Sequence, residues 1–242
     1  MISSGRKDTA LNPGQESTLQ QLRVALEASG PVPANAVSTV VKIVTEWPYS
    51  DRLAGLDILR CIASSRNAAN YTEGDRSLLD VTIGASLPSD ETPNENAVMM
   101  GGRTAANLFG SAEGRALIGS NAEKVIAFLE RIVGIKGEAI GKFNRNVLIA
   151  TTTCSVNLAV LANRERALSP DHRRRLGSIL AAVLQEQQDS EVLYRAVVAL
   201  GTLLTAGKEA KASGMAALLD RASQASSEDR VKSAVAECQR LL

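Results

Sequence analysis

Apolar residues recur at helical spacing along almost the whole of this sequence, and no window alternates with the two-residue period of a half-buried strand. Leu19, Leu22 and Leu26 make one stripe, broken by Pro31 and Pro33. Val37, Val40, Val41 and Val44 make the next, ended by Trp47-Pro48, and Leu56, Leu59 and Ile62 a third. Ser169-Pro170-Asp171 reads as a helix cap with proline at the first position, followed by Leu176, Ile179, Leu180, Val183 and Leu184. Leu193, Val197, Leu200 and Leu204 follow, and Val231, Val235, Cys238 and Leu242 close the chain. Aromatic residues are only 3% of the chain, so helices must pack through small and branched side chains. The pattern predicts an all-α fold.

A repeat lies beneath the stripes. One long apolar helix recurs as Leu53–Ile62, Ala97–Phe109, Val147–Leu161 and Val192–Leu204. Counted from Arg60 to Asn107, Asn157 and Thr202, the spacings are 47, 50 and 45 residues. Helical repeats of that length predict an armadillo-like or HEAT-like solenoid. Loops are expected at Ser65–Gly74, Pro88–Asn94, Gly134–Gly141, Arg164–Ser169 and Gly207–Ser213, all short enough for helices that pack on their sequence neighbours. Residues 1–15, rich in Ser, Gly, Lys and Asp, read as a disordered lead-in cut from a longer chain, with one domain over 16–242.

Several function classes lose ground on composition. The formal net charge is +1, whereas nucleic-acid binders carry a clear basic excess. Three cysteines, Cys61, Cys154 and Cys238, are far apart in apolar patterns and read as buried free thiols of a reducing compartment. With one histidine, His172, and no paired cysteine motif, no zinc site is expected, nor any other cofactor. The most apolar run, Val147 to Ala162, is interrupted by Thr151, Thr152, Thr153, Ser155 and Asn157 and reads as too short to span a membrane. The first fifteen residues lack the apolar stretch of a signal peptide.

The repeated helices carry aligned polar stripes. Residues three, four or seven apart share a helical face. Asp57 and Arg60 do so, as do Arg103 and Asn107; Asn146, Thr153 and Asn157 form a longer stripe, and Arg195 with Thr202 repeats it. In a solenoid, corresponding helices line one concave surface, so the stripes would form a ladder of amides and guanidiniums. Asn amides pair with the backbone of an extended peptide, and Arg offers a fork to carboxylates. The competing reading is that these groups cap turns or pair among themselves. The run His172-Arg173-Arg174-Arg175 is expected to be a solvated helix face, and Gly101-Gly102, with no strand before it, a close helix approach instead of a phosphate loop.

At this point a family resemblance emerges. Trp47-Pro48 followed by Gly55-Leu-Asp-Ile-Leu-Arg60, then Asn146-Val-Leu-Ile-Ala150 running to Val156-Asn157, then Tyr194-Arg-Ala-Val-Val-Ala-Leu-Gly-Thr-Leu-Leu204, resemble the PUL domain. That domain closes a WD-repeat ubiquitin-binding protein and some fungal proteins with peptidase-like or thioredoxin-like domains. The resemblance implies about six armadillo-like repeats. It also implies a basic concave ridge that binds the short C-terminal tail of the hexameric AAA ATPase segregase (valosin-containing protein and its fungal counterpart). The tail contributes acidic residues and a near-terminal tyrosine. By motif, Arg60 and Arg195 are the ridge positions that carry over; Arg103, Asn107, Asn146 and Asn157 come from the stripes. Leu148 stands where some relatives carry a polar residue.

The leading expectation is therefore a non-enzymatic, monomeric adaptor of the ubiquitin–proteasome pathway, cytoplasmic or nuclear, without nucleic-acid or membrane partners. A scaffold that dimerises or supports a neighbouring domain is the alternative, and it requires an exposed apolar patch. An enzyme would require Cys154 or Cys61 within hydrogen-bond reach of His172.

Overall fold

The computed structural model describes residues 10–135 and 144–242, so the first nine residues of the expected lead-in and most of the expected Gly134–Gly141 loop lie outside the described residues. The chain divides into two compact units, residues 1–118 and 119–242.

In the first unit, α1 (Pro13–Glu27) begins inside the stretch expected to be lead-in. Its start is explained by a reciprocal cap. The Gln15 N–H donates to the Asn12 side chain at 2.9 Å, and the Asn12 N–H donates to Gln15 Oε1 at 3.0 Å. In α2 (Ala34–Glu46), Val37, Val40, Val41 and Val44 are all buried, as is Trp47 just after it. Beyond the Trp47-Pro48 break, Arg52 donates to the carbonyls of Trp47 (2.7 Å) and Thr45 (3.1 Å), satisfying acceptors that the ended helix leaves open. Helix α3 (Leu53–Ile62) then packs on α2 through Gly55, where an added Cβ would meet Ile43 at 2.6 Å.

The expected loop from Ser65 contains a single turn, α4 (Arg66–Ala69), and the first arm of a two-stranded antiparallel hairpin, β1 (Thr72–Glu73) and β2 (Arg76–Ser77). Gly74, at φ +58°, makes the tight reversal. Two-residue strands leave no periodicity to read. Helices α5 (Leu78–Ser86) and α6 (Glu95–Leu108) form the next pair; α3 lies against α6 and α2 against α5, so two helical pairs stack in two layers. The Tyr49 hydroxyl donates to Ser86 O and accepts from the Asn94 N–H, both at 3.0 Å, tying the end of α5 to the start of α6. Gly101 and Gly102 are both buried in α6. Helix α7 (Ala112–Ser120) follows.

The second unit repeats the layering. One layer contains α8 (Ala122–Val133), α10 (Pro170–Glu186) and α12 (Met215–Ala225); the other contains α9 (Arg145–Arg164), α11 (Ser190–Ala206) and α13 (Asp229–Gln239). Within the layers α10 contacts α8 and α12, and α11 contacts α9 and α13; between them α10 pairs with α11 and α12 with α13. The four repeated helices of the sequence are α3, α6, α9 and α11, with α13 continuing the series. The fold is an all-α helical-repeat architecture.

Helix α9 corrects one expectation. At 20 residues it is long and apolar enough to cross a membrane by length and composition, not too short. Its apolar character has another cause here, since 61% of that window is buried within the fold. Thr151, Thr152, Thr153 and Ser155 are accommodated because each hydroxyl donates to the carbonyl four residues earlier, at 2.6–2.9 Å.

Candidate functional site

In the first unit, Arg60 projects from the last turn of α3 at the edge of the buried stripe of Leu56, Leu59 and Ile62, and its side chain is 31% exposed. Two carboxylate contacts hold it: Nε to Asp57 Oδ1 at 2.8 Å and Nη2 to the same oxygen at 2.7 Å. The bond to Asp57 raises the Arg60 pKa above its ordinary value. Asn107, on α6, donates its amide to the backbone carbonyl of Arg60 at 2.8 Å. It therefore pins two consecutive repeats together, the structural use of a stripe residue. Arg103, one turn earlier on α6, is half-buried and makes no ion pair among the described residues.

In the second unit, Asn146 is exposed in the first turn of α9, and Asn144 caps that helix by accepting from the N–H groups of Asn146 and Val147. Asn157 lies three turns on, half-buried and hydrogen-bonded or otherwise partnered. Leu148 is 2% exposed, so it belongs to the core and not to the polar face. Arg195, on α11, is 35% exposed and reaches both ways. Its Nη1 donates to Thr153 Oγ1 of α9 at 2.7 Å, and its Nε donates to Glu191 Oε1 at 2.6 Å.

Three residues absent from the sequence reading, Glu191, Arg230 and Glu228, join this cluster. Arg230, at the start of α13, reaches Glu191 Oε2 with Nη1 at 2.8 Å and Glu228 with Nε at 2.6 Å. Its guanidinium lies 4.9 Å from the centre of the Tyr194 ring, a cation–π contact. A continuous polar chain thus crosses α9, α11 and α13: Thr153, Arg195, Glu191, Arg230, Glu228. Hydrogen bonds from Arg195, and then from Arg230, outweigh burial and hold the Glu191 carboxyl below the usual range. Tyr194 stood in the sequence block that carries the family resemblance. Arg230 carried no signal, because its role depends on a contact with a helix 35 to 40 positions earlier.

The basic run behaves differently from expectation. Only Arg174 is solvated, at 61% exposure, and it pairs with Asp171. Arg173 is 14% exposed, donating to Leu168 O and Glu209, and Arg175 is 13% exposed, forked onto Glu130 of α8. Successive helical residues point about 100° apart, so a run of three cannot share one solvated face. His172 lies 3.5 Å from Glu123, with Nδ1 buried and lacking a hydrogen bond among the described residues.

The cysteines split as well. Cys154 and Cys238 are buried, and burial pushes their thiols up to about 12 and about 11. Neither is poised as a thiolate nucleophile. Cys61 is exposed, contrary to its expected burial: it stands two residues from Leu59, about 200° around the helix, and accepts from Arg60 Nη2 at 3.4 Å. No group of three metal-ligating side chains occurs among the described residues.

The family model described as the PUL domain matches residues 1–237. Phospholipase A-2-activating protein of Xenopus laevis is 26% identical over 189 residues, covering 76% of this chain but 22% of that protein, so the chain spans under a quarter of its relative's length. A crystal structure of an engineered protein superposes with a TM-score of 0.62 at 17% identity, covering 94% of this chain and 89% of the other, a likeness of fold alone.

Proposed function

Since the chain belongs to the PUL domain family, a family of protein-interaction domains, we propose that it is a non-catalytic adaptor for the acidic C-terminal tail of a hexameric AAA ATPase segregase of the valosin-containing type. It would serve in the ubiquitin–proteasome pathway of cytoplasm or nucleus. The observation that supports this most is the recurrence of a part-exposed arginine on repeat-equivalent helices, Arg60 on α3 and Arg195 on α11. Each is steadied by a carboxylate one turn earlier on its own helix, Asp57 or Glu191, and each retains guanidinium N–H groups without a partner among the described residues. Five donors in a fixed fork leave room for a ligand carboxylate beside the internal one.

The test is titration calorimetry of a synthetic ATPase-tail peptide against wild type, Arg60→Glu and Arg195→Glu, with melting curves as a folding control. Losing a charged hydrogen bond in a partly desolvated site removes about 1.5–3 kcal/mol of binding, a tenfold to hundredfold loss. Unchanged affinity in a folded Arg195→Glu protein would overturn the assignment.

A scaffolding role keeps one observation in its favour. In the first unit, α1 exposes Val24 (64%) and Leu26 (36%). Leu26 also lines an open cavity of about 630 Å³, together with Leu11, Leu19, Leu22 and Ile58. Sedimentation velocity decides: concentration-dependent association abolished by Val24→Asp would favour that reading.

A further inference from the structure

We infer that Arg195, Arg230 and Tyr194 form a carboxylate-binding subsite on α11 and α13, and that Glu191 occupies it as an internal stand-in for an acidic ligand. The inference rests on the proposal that this domain binds an acidic peptide, and it specifies one subsite within the second unit.

The geometry has three parts. First, Glu191 receives one guanidinium on each oxygen, Arg195 at 2.6 Å and Arg230 at 2.8 Å, the arrangement in which two arginines would clasp an incoming carboxylate. Second, both arginines have anchors that do not depend on Glu191. Thr153 of α9 fixes Arg195 at 2.7 Å; Glu228 at 2.6 Å and the Tyr194 ring fix Arg230. If Glu191 swings away, the two forks keep their places. Third, Glu191 is free to leave at small expense. Its side chain is part-exposed at 22%, it stands in the first turn of α11, and the cap of that turn is supplied by Asp189, which accepts from the N–H groups of Glu191 and Val192. Its arginine partners are 35% and 46% exposed, so each ion pair is partly solvated and weaker than a buried one.

The charges explain why such a subsite escapes notice in the sequence. Two arginines against Glu191 and Glu228 sum to zero, so the cluster leaves no local excess of basic charge to read in the sequence. An acidic peptide then exchanges one carboxylate for another, and the internal one sets a threshold that neutral peptides do not meet.

The experiment is calorimetric titration of the 242-residue chain and its Glu191→Gln and Glu191→Ala variants with two peptides. One is the acidic ATPase-tail peptide; the other has its Asp and Glu residues replaced by Asn and Gln and its C-terminus amidated. Removing the competitor is expected to tighten the acidic peptide about threefold to tenfold, the scale of an exposed charge pair, with a steeper loss as salt rises. The neutral peptide should gain nothing. Arg230→Ala, outside the residues carried over from the family, should weaken the acidic peptide as Arg195→Ala does. Unchanged or weaker binding of the acidic peptide by both folded Glu191 variants, with wild type and Arg195→Ala behaving as proposed above, would overturn the stand-in role alone. Failure of wild type to bind the acidic peptide would overturn the adaptor reading itself.

Discussion

Arg175 and its neighbour Arg174 are adjacent in sequence and carry the same charge, yet their surroundings make them energetically unlike. Arg174 is mostly solvated. Arg175 donates Nε to Glu130 Oε1 and Nη2 to Glu130 Oε2, both at 2.8 Å, with Glu130 only 3% exposed. Deleting Glu130 leaves Arg175, 13% exposed, with only the surface carboxylates of Glu123 and Asp171, and removing one partner of so buried a pair costs about 3 kcal/mol, whereas a surface pair contributes about 0.5 kcal/mol. Urea denaturation should therefore show a loss of about 3 kcal/mol for Glu130→Ala and little change for Arg174→Ala. Equal effects would show the Glu130 pair to be no stronger than a surface one. Charge patterning along the chain registers the basic run but not its partner 45 residues earlier, and the same blindness hid Arg230.

Among the elements, close approach of backbones decides which glycines are replaceable. In α10, a Cβ on Gly177 would stand 2.3 Å from the Ala210 carbonyl oxygen, in a backbone that cannot swing aside as a side chain does. Gly84, exposed in α5, has nothing within 4 Å of its would-be Cβ. Gly177→Ala should destabilise by about 1–3 kcal/mol through overpacking, and Gly84→Ala should stabilise by about 0.5–1 kcal/mol by relieving backbone entropy. Guanidinium unfolding midpoints moving in opposite directions would confirm the pair; movement in the same direction would refute it. The long amphipathic helices, α2, α3, α10 and α11, were legible because each keeps its apolar residues on one face. Helix α5 gave no stripe because it is apolar nearly all round, with six of nine residues buried. In α7 only Gly114 and Ile118 are buried, too few for a period. The start of α1 was missed because a reciprocal Asn12–Gln15 cap outweighed a composition that looked disordered. At the candidate site the stripes marked polar residues that share a face of each helix. They could not show which polar groups pair internally, as Asn107 does with the Arg60 carbonyl.

For the chain as a whole, the three thiols offer a readout of how its layers come apart. Cys61 is exposed on α3, whereas Cys154 on α9 and Cys238 on α13 are 0% and 2% exposed. Both buried thiols lie in helices that flank α11, so neither can meet a reagent until the α9, α11 and α13 layer opens. Burial also holds them as thiols, pushed up to about 12 and about 11, so a reagent that requires thiolate finds very little in mildly alkaline buffer. A disulfide reagent added to the native chain should therefore consume one thiol at once and two slowly. Cys61→Ser should remove the fast phase alone. The slow pair should react at a common rate that rises with urea, because opening of a packed layer is cooperative and exposure of either thiol requires the same event. A Cys238 rate that ignores urea while Cys154 responds would mean that α13 frays independently of its layer. In that case the Arg230 fork would be a mobile contact, and the Glu191 subsite would lose the rigidity that lets it discriminate a carboxylate from an amide.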